Sequence, residues 1–351
     1  SGTVLVSGFA GLALGRALDR FGARVLMSLG SVLSGLSLLA MARVHSLVAF
    51  DALWTLGLGL GTALTYYPVS FTVVANWFDR RRRQALALLT LLGALASPVA
   101  YPLVGWSIAA VGWRETLVRL AVVQLAIALP LHLVFVRRHP EDHGLRPDGG
   151  SEPSAWTPES GIDWRRAVGG AAFWTLTGAL ALAYFGSTFI LLEHVAYLIA
   201  RGYAPTLAAA LVGMLGLVYL PGRWLIAVAS ARIGTIALLA VAFLLEAAGV
   251  ALLLVAHDVV WVVGYVVVFG VAYGATAPLR AAIVAERFGR RAYGTIFAAQ
   301  NAIVGVAAAL GPIVAGRLVD VAGYGSAFGA CIAAFIVAAL VVVFPVSVAK
   351  S

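Results

Sequence analysis

One arginine stands out because it lies deep inside an apolar stretch of the chain. Arg223 belongs to the apolar run 205–230 and, at the helical rise, is roughly 12 Å from the nearer end of that run. A guanidinium is costly there unless it faces water or a partner, and its planar fork matches a carboxylate with two hydrogen bonds. Arg223 therefore predicts a site for an organic carboxylate. The alternative is a structural arginine paired with a helix end or with an acid such as Glu246.

Other polar side chains in apolar runs also have both a functional and a structural explanation. Glu246, near the middle of the run 234–256, is a candidate for proton coupling, or else a neutral acid hydrogen-bonded within a helix interface. His194, at the outer end of the run 170–199, could titrate near neutral pH or form an interfacial polar cap. Four tyrosines could line a transport pathway with their hydroxyl groups, or could instead pack in the core or anchor at the membrane interface. They are Tyr66, Tyr67, Tyr184 and Tyr219.

Patterns typical of enzymes are missing from the sequence. No spacing of His, Glu and Cys suggests a metal site, no G-x-S-x-G elbow occurs, and no phosphate-binding loop with its lysine is present. The sequence therefore predicts no catalytic residues, no metal and no cofactor. Transport would have to draw on an ion or substrate gradient.

The elements that position these residues are long apolar helices. Hydrophobic residues make up 62% of the chain and charged residues 11%, far from the composition of soluble domains. A helix needs roughly 20 apolar residues to cross a bilayer. We therefore predict an all-α membrane protein from eleven apolar runs, approximately 1–14, 25–42, 47–75, 84–109, 114–136, 170–199, 205–230, 234–256, 259–283, 292–318 and 324–346.

The positive charge follows a membrane topology. The formal net charge is +9, but the arginines concentrate in alternate loops and helix ends, to which we also assign Arg280. The positive-inside rule places this set in the cytoplasm, including the connection 137–169 and the C-terminus. The charge pattern thus predicts a membrane protein with a cytoplasmic C-terminus and without a nucleic-acid partner, and we expect it in a bacterial inner membrane.

The chain also contains an internal repeat. Pro68 corresponds to Pro278 and Phe78 to Phe288, each at an offset of 210 residues. Parallel halves of this size are typical of secondary transporters. The predicted organisation is a helical bundle at 1–136, a flexible cytoplasmic linker at 137–169 and a six-helix bundle at 170–351. The repeat further predicts that the first helix is missing and that the second is shortened.

Two segments resemble loops of a known family. Residues 15–24 read Gly-Arg-Ala-Leu-Asp-Arg-Phe-Gly-Ala-Arg, and residues 76–83 read Asn-Trp-Phe-Asp-Arg-Arg-Arg-Arg. They look like the loop signature and the fourth-helix exit of the major facilitator superfamily, in its monocarboxylate and oxalate:formate branch. The resemblance covers essentially the whole chain. It implies the major facilitator fold, two pseudo-symmetric helical bundles in a twelve-helix plan, with about eleven helices present.

The resemblance and the charges together imply a gate on the cytoplasmic side. Glycines permit close helix approach, and Asp19 can accept hydrogen bonds from a neighbouring helix end or an arginine. Such contacts can hold one conformation shut during alternating access. The alternative for the arginines is a role in topology alone. The predicted gating residues are Gly15, Asp19, Arg20, Gly22, Arg24, Arg80 and Arg81.

The resemblance also bears on the substrate. Members of the branch carry an arginine on the eighth helix, four residues before a small residue. This arginine is implicated in binding the substrate carboxylate. Arg223 with Ala227 matches the pattern. Tyr219 stands where monocarboxylate carriers often have an acid, and oxalate carriers have a lysine near Asn301. With one fixed cation, a single carboxylate or a larger amphipathic acid fits better than a dicarboxylate. The implied substrate-binding residues are Arg223, Tyr219, Tyr66, Tyr67, Tyr184 and Asn301.

These features predict secondary active transport of a small organic anion, a monocarboxylate, by alternating access. The expected partners are the anion, membrane lipid, and either H⁺ or a counter-anion. One alternative is an exporter of drugs or amphiphiles with the same fold, in which Glu246 would dominate over Arg223. The other is a membrane sensor or scaffold that does not transport.

Overall fold

The computed structural model describes residues 14–149, 161–229 and 232–343, and these are almost entirely helical. The only β-type pairing in these ranges is an isolated bridge between Gly161 and Gly289. The predicted all-α class is therefore confirmed for this part of the chain. The apolar run 1–14 lies, except for its last residue, outside the described residues.

In the described residues 14–149, the first half of the chain forms seven α-helical segments. Two π-helical turns, Leu53–Leu58 and Gln124–Ala128, connect some of them without a loop. The segments are α1 (14–21), α2 (Ala23–Met41), α3 (Leu47–Ala52), α4 (Gly59–Thr65), α5 (Tyr67–Trp77), α6 (Arg82–Val123) and α7 (Leu129–Phe135).

The described residues 161–229 and 232–343 form seven more, after two short 3₁₀ turns at Glu141–His143 and Pro147–Gly149. They are α8 (Trp164–Gly169), α9 (Ala171–Ala200), α10 (Pro205–Gly213), α11 (Leu215–Ala229), α12 (Thr235–Leu254), α13 (Val259–Phe288) and α14 (Tyr293–Val343).

The two longest helices break at equivalent positions. Gly112 in α6 has φ of 81°, and Gly323 in α14 has φ of 75°. Only glycine adopts this region readily, so each glycine interrupts its helix. The two positions are 211 residues apart, in agreement with the internal repeat.

Nine helical segments of the described ranges are long and apolar enough to cross a membrane. They begin with Ala23–Met41 and end with Gly316–Val343. Together with the helical class, they identify a multi-pass integral membrane protein.

The described residues form two compact units. Unit 1 contains 14–82, 95–149, 161–167 and 284–302, and unit 2 contains 83–94, 168–229, 232–283 and 303–343. Residues 284–302 come from the second half of the sequence but belong to unit 1. The boundaries predicted at 136 and 170 remain a prediction.

An apolar cluster in unit 1 holds α1, α2 and α5 together. Leu18 of α1 packs with Leu26 and Met27 of α2 and with Val69 of α5, and all four are buried. Leu18 directly precedes Asp19, so this cluster fixes the backbone that carries the carboxylate.

Glycines allow α11 and α13 of unit 2 to touch. A Cβ at Gly222 would collide with the carbonyl oxygen of Val271, and one at Gly274 would collide with that of Tyr219. Backbone contact of this kind is typical of membrane helices packed through small residues. It fixes the level of Arg223, the next residue on α11.

We expect Gly222→Ala to destabilise the protein by about 1–3 kcal/mol, because the added methyl group overpacks this contact. The measurement is the melting temperature in detergent. Gly216→Ala in the same helix is the matched control, since a Cβ there meets nothing within 4 Å. The control should gain roughly 0.5–1 kcal/mol from helix propensity. Equal melting temperatures for the two variants would contradict the close packing of α11 on α13.

Candidate functional site

The Asp19 carboxylate caps the start of α14. Its Oδ1 accepts a hydrogen bond from the Gly294 N–H at 3.0 Å, and its Oδ2 accepts one from the Thr295 N–H at 3.0 Å. The Thr295 hydroxyl also donates to Oδ2, at 2.6 Å. The first N–H groups of a helix have no acceptor within it, and a negative charge is favoured at this end. One side chain of α1 thus satisfies two backbone donors 275 and 276 residues away.

Two glycines make this contact possible. A Cβ at Gly15 would lie 2.7 Å from the Gly294 carbonyl oxygen, so α1 could not approach α14 with a larger residue there. Gly22 has φ of 81°, and a Cβ would lie 3.0 Å from the Arg138 side chain. Gly15, Asp19 and Gly22 therefore form one geometric unit.

Burial changes the titration of this carboxyl group. It raises the pKa of Asp19 from 3.8 to about 6, although the hydrogen bonds from Thr295 and Gly294 and the charge of Arg138 act in the opposite direction. Desolvation disfavours the charged form and here outweighs the donors.

Residues just after α7 complete the surroundings of Asp19. Arg138 donates to the Asp19 carbonyl oxygen. Glu141 forms an ion pair with Arg290 at 3.0 Å, and the Arg290 side chain is fully buried. Burial, with the charges of Arg290 and Arg138, lowers the pKa of His139. We call Asp19, Arg138, His139, Glu141 and Arg290 the Asp19 cluster.

Asp148 binds the turn that precedes α6. Its Oδ2 accepts hydrogen bonds from the backbone N–H groups of Asp79 at 3.0 Å and Arg80 at 2.6 Å, and its Oδ1 from that of Arg81 at 3.4 Å. Residues 137–149 are thus held at both ends, at Asp19 and at this turn. The flexible linker expected at 137–169 remains a prediction.

A cavity of about 210 Å³ adjoins the Asp19 cluster. It lies entirely within unit 1. Its polar lining comes from α1, α5, the segment after α7 and the loop before α14, namely Asp19, Thr72, Asn76, Arg138, His139, Arg290 and Arg291.

Arg223 lies in α11 of unit 2, as the apolar run predicted. One terminal nitrogen of its guanidinium donates to the Thr90 carbonyl oxygen. Its Nε is buried without a hydrogen-bond partner among the described residues. The guanidinium is therefore only partly satisfied among these residues.

A second arginine, Arg280, lies inside α13 and is only 4% exposed. The sequence predicts Arg280 in a basic loop or at a helix end. This prediction is wrong, because Arg280 precedes the end of α13 by eight residues. Its guanidinium hydrogen-bonds the Tyr184 hydroxyl and lies 6.0 Å from the centre of that ring. We call these two residues the Arg280–Tyr184 pair.

Both arginines interact with Tyr184. Arg280 hydrogen-bonds its hydroxyl, and Arg223 interacts electrostatically with the hydroxyls of Tyr184 and Tyr219.

Glu246 is fully buried in the same unit. The Ser187 hydroxyl lies 2.8 Å from its Oε2, and the Thr276 hydroxyl 3.0 Å from its Oε1. These contacts join α12 to α9 and α13. Glu246 also interacts electrostatically with Tyr184 and Tyr219.

The remaining residues proposed from the sequence lie elsewhere. Tyr66, Tyr67 and Asn301 belong to unit 1, where the two tyrosine rings are 4.7 Å apart. His194 in unit 2 is buried, with its Nδ1 2.8 Å from the Tyr265 hydroxyl oxygen. Arg20 and Arg24 are exposed.

Sequence reasoning missed Arg280, Asp148 and the pair of Glu141 with Arg290. A local signal existed for Arg280, because both arginines follow a proline by two residues, in Pro221-Gly-Arg223 and Pro278-Leu-Arg280. Both prolines lie inside helices. No local signal pairs Asp148 with the turn at 79–81.

Known proteins resemble this chain over its whole length. The model of the Major Facilitator Superfamily matches residues 1–245 and 195–351. The uncharacterized MFS-type transporter YcxA of Bacillus subtilis (strain 168) is 24% identical over 349 residues, which cover 94% of this chain and 80% of that protein. A probable L-galactonate transporter of Escherichia coli (strain K12) is 24% identical over 207 residues, 58% of this chain and 44% of that protein.

A solved structure shows the same fold. The crystal structure of the human organic anion transporter MFSD10 (TETRAN) matches with a TM-score of 0.72 and covers 97% of this chain and 82% of that chain. Sequence identity is 19%, so the likeness concerns the fold alone.

We expect the buried Asp19 carboxyl to make stability depend on pH in a defined direction. The folded protein holds this proton up to about pH 6, whereas an ordinary carboxyl loses it near 3.8. The folded state therefore binds more protons between these values, and the contribution of this group to stability falls as the pH rises through them. The melting temperature of Asp19→Asn, measured from pH 4 to 7, should lack this decrease.

Glu115→Gln is the matched control, because Glu115 is exposed and lies outside the Asp19 cluster. It should keep the pH dependence of the wild type. Parallel curves for Asp19→Asn and the wild type would contradict the burial of this carboxyl group.

Proposed function

Because the chain belongs to the Major Facilitator Superfamily, we propose that it is a secondary transporter that moves a small organic anion across the membrane by alternating access. The observation that carries this proposal is Arg223, whose buried Nε donates to no described residue. An unpaired buried donor costs free energy, and a substrate carboxylate would remove that cost. The guanidinium would then hold the carboxylate with its free N–H groups.

The Arg280–Tyr184 pair extends the substrate class. The sequence predicts a monocarboxylate substrate because it indicates a single fixed cation. Arg280 supplies a second guanidinium, which is buried, and Tyr184 interacts with both arginines. The proposed substrates therefore include acids with a second carboxylate. Tyr219 belongs to the same group through its interaction with Arg223.

One relative supports an anionic substrate. It is described as a probable L-galactonate transporter. That description names an anion, which matches the charge of Arg223 and Arg280.

The Asp19 cluster is the proposed gate. The contact of Asp19 with the start of α14 joins the two halves of the sequence inside unit 1. Alternating access requires contacts that form in one state and break in the other. Three hydrogen bonds on one carboxylate suit this role, because they form and break together. Following the positive-inside rule, the proposal has this gate and the C-terminus facing the cytoplasm. The proposed membrane is a bacterial inner membrane.

Coupling to H⁺ or to a counter-anion completes the proposal. Glu246 is the candidate proton carrier, since it is fully buried and interacts with the same tyrosines as Arg223. His194 is a weaker candidate, because its partner among the described residues is Tyr265 and neither arginine.

We expect Arg223→Gln to lower the apparent affinity for the substrate at least about thirtyfold, since losing one partner of a buried charge pair costs about 2 kcal/mol or more. The wild type in proteoliposomes is first screened with radiolabelled small carboxylates. The variant is then compared on the acid taken up best. Arg232→Gln, an exposed arginine of unit 2, is the matched control. Uptake of none of the acids, or undiminished uptake by Arg223→Gln, would contradict the proposal.

Arg280→Gln tests the second cation. Butanoate and succinate both have four carbons but carry one and two carboxylates, respectively. Comparing how strongly each acid inhibits uptake of the radiolabelled substrate therefore distinguishes the role of Arg280 from that of Arg223. We expect the variant to lose at least about tenfold in affinity for succinate, because a hydrogen bond to a charged group contributes about 1.5–3 kcal/mol. Inhibition by butanoate should change less. An equal change for both acids would show that Arg280 has a structural role only.

A further inference from the structure

The cavity beside the Asp19 cluster has the chemistry of an anion site that transport does not require. We propose that it binds inorganic phosphate from the aqueous phase. Its volume of about 210 Å³ is many times what a single water molecule needs. The site lies within unit 1 and is separate from Arg223 and Arg280 in unit 2.

The lining of the cavity is positive on balance, because it contains three guanidiniums, those of Arg138, Arg290 and Arg291, and one carboxylate, that of Asp19. Glu141 neutralises Arg290. The charge of Arg138 acts on the Asp19 carboxylate, while its guanidinium donates to a backbone carbonyl. Arg291 is exposed and forms no ion pair or hydrogen bond in the part of the chain that the structure describes. Arg291 is therefore the lining guanidinium that remains without an acidic partner there.

The donors come from several directions. Arg138 follows α7, and Arg291 precedes α14. His139 adds a third donor, because its Nδ1 lies 3.4 Å from an Arg290 nitrogen. Arginine only donates, so Nδ1 must accept and Nε2 carries the proton. Donors on separate elements suit a tetrahedral oxyanion better than a planar carboxylate, which has two oxygens on one edge.

Asn76 distinguishes phosphate from other oxyanions. It lines the cavity, is 7% exposed, and its Oδ1 is buried without a donor among the described residues. Its Nδ2 already donates to the Arg138 carbonyl oxygen at 3.3 Å. Inorganic phosphate keeps a P–O–H group at neutral pH and can donate to Oδ1 after a small rotation of the amide. Sulfate and the phosphodiester of a phospholipid have no such proton.

Bound phosphate would strengthen the state that the structure describes. It would link Arg138 to Arg291, and so the segment after α7 to the loop before α14. Asp19 bridges the same two regions from α1. A ligand shifts an equilibrium towards the state that it binds better. Phosphate in the aqueous phase would thereby favour the closed arrangement of Asp19 on α14.

The test is a titration of the melting temperature of the purified protein at pH 7, in phosphatidylcholine nanodiscs. Phosphate and sulfate are compared at constant ionic strength, because a ligand that binds only the folded state raises its stability. We expect phosphate to half-saturate the shift at a concentration at least about tenfold lower than sulfate, a difference of roughly 1.4 kcal/mol. Equal shifts by both anions, or no saturable shift, would overturn the proposal.

Variants locate the site independently of transport. Arg291→Gln should raise the half-saturating phosphate concentration at least about tenfold, whereas Arg232→Gln should leave it unchanged. Asn76→Ala should remove the preference for phosphate over sulfate. Unchanged titrations of Arg291→Gln, or a preference that survives in Asn76→Ala, would place phosphate elsewhere. If phosphatidylglycerol in the nanodiscs reproduces the shift and abolishes that of phosphate, the site belongs to a lipid headgroup and the proposal fails.

Discussion

The contact on which unit 1 depends is the carboxylate of Asp19 at the first turn of α14. A helix in an apolar surrounding cannot leave its first N–H groups without acceptors, and no side chain of α14 itself supplies them for Gly294 and Thr295. Asp19 does so from the other half of the sequence. Glycine at position 15 follows from this constraint, because α1 must touch the α14 backbone. The proposed gate is thus a helix cap provided by a distant helix.

Much of the fold could be predicted from the sequence, because apolar length and periodic landmarks are local properties. The helical class, most helix positions and the equivalent breaks at Gly112 and Gly323 follow from them. The sequence also indicated that Asp19 would accept from a helix end. It could not identify α14 as that helix, because a hydrogen bond across 275 residues leaves no trace in local spacing.

Arg223 and Arg280 show where a prediction of burial from neighbouring residues in the sequence fails. Arg223 was recognised because apolar residues surround it on both sides, whereas Arg280 lies near other arginines and was attributed to a helix end. In the structure, α13 continues to Phe288, and eight residues of helix separate Arg280 from its end. Charge near a loop is thus weak evidence for exposure. The partner on a neighbouring helix, here Tyr184, decides whether such an arginine is buried.

Residues 138–148 are attached at both ends, through Arg138 to Asp19 and through Asp148 to the turn at 79–81. Surface loops usually tolerate insertions and deletions, because nothing fixes the distance between their ends. Here, a change in the number of residues would displace one attachment or the other. Among homologous chains, this part of the connection should therefore vary in sequence while keeping its length.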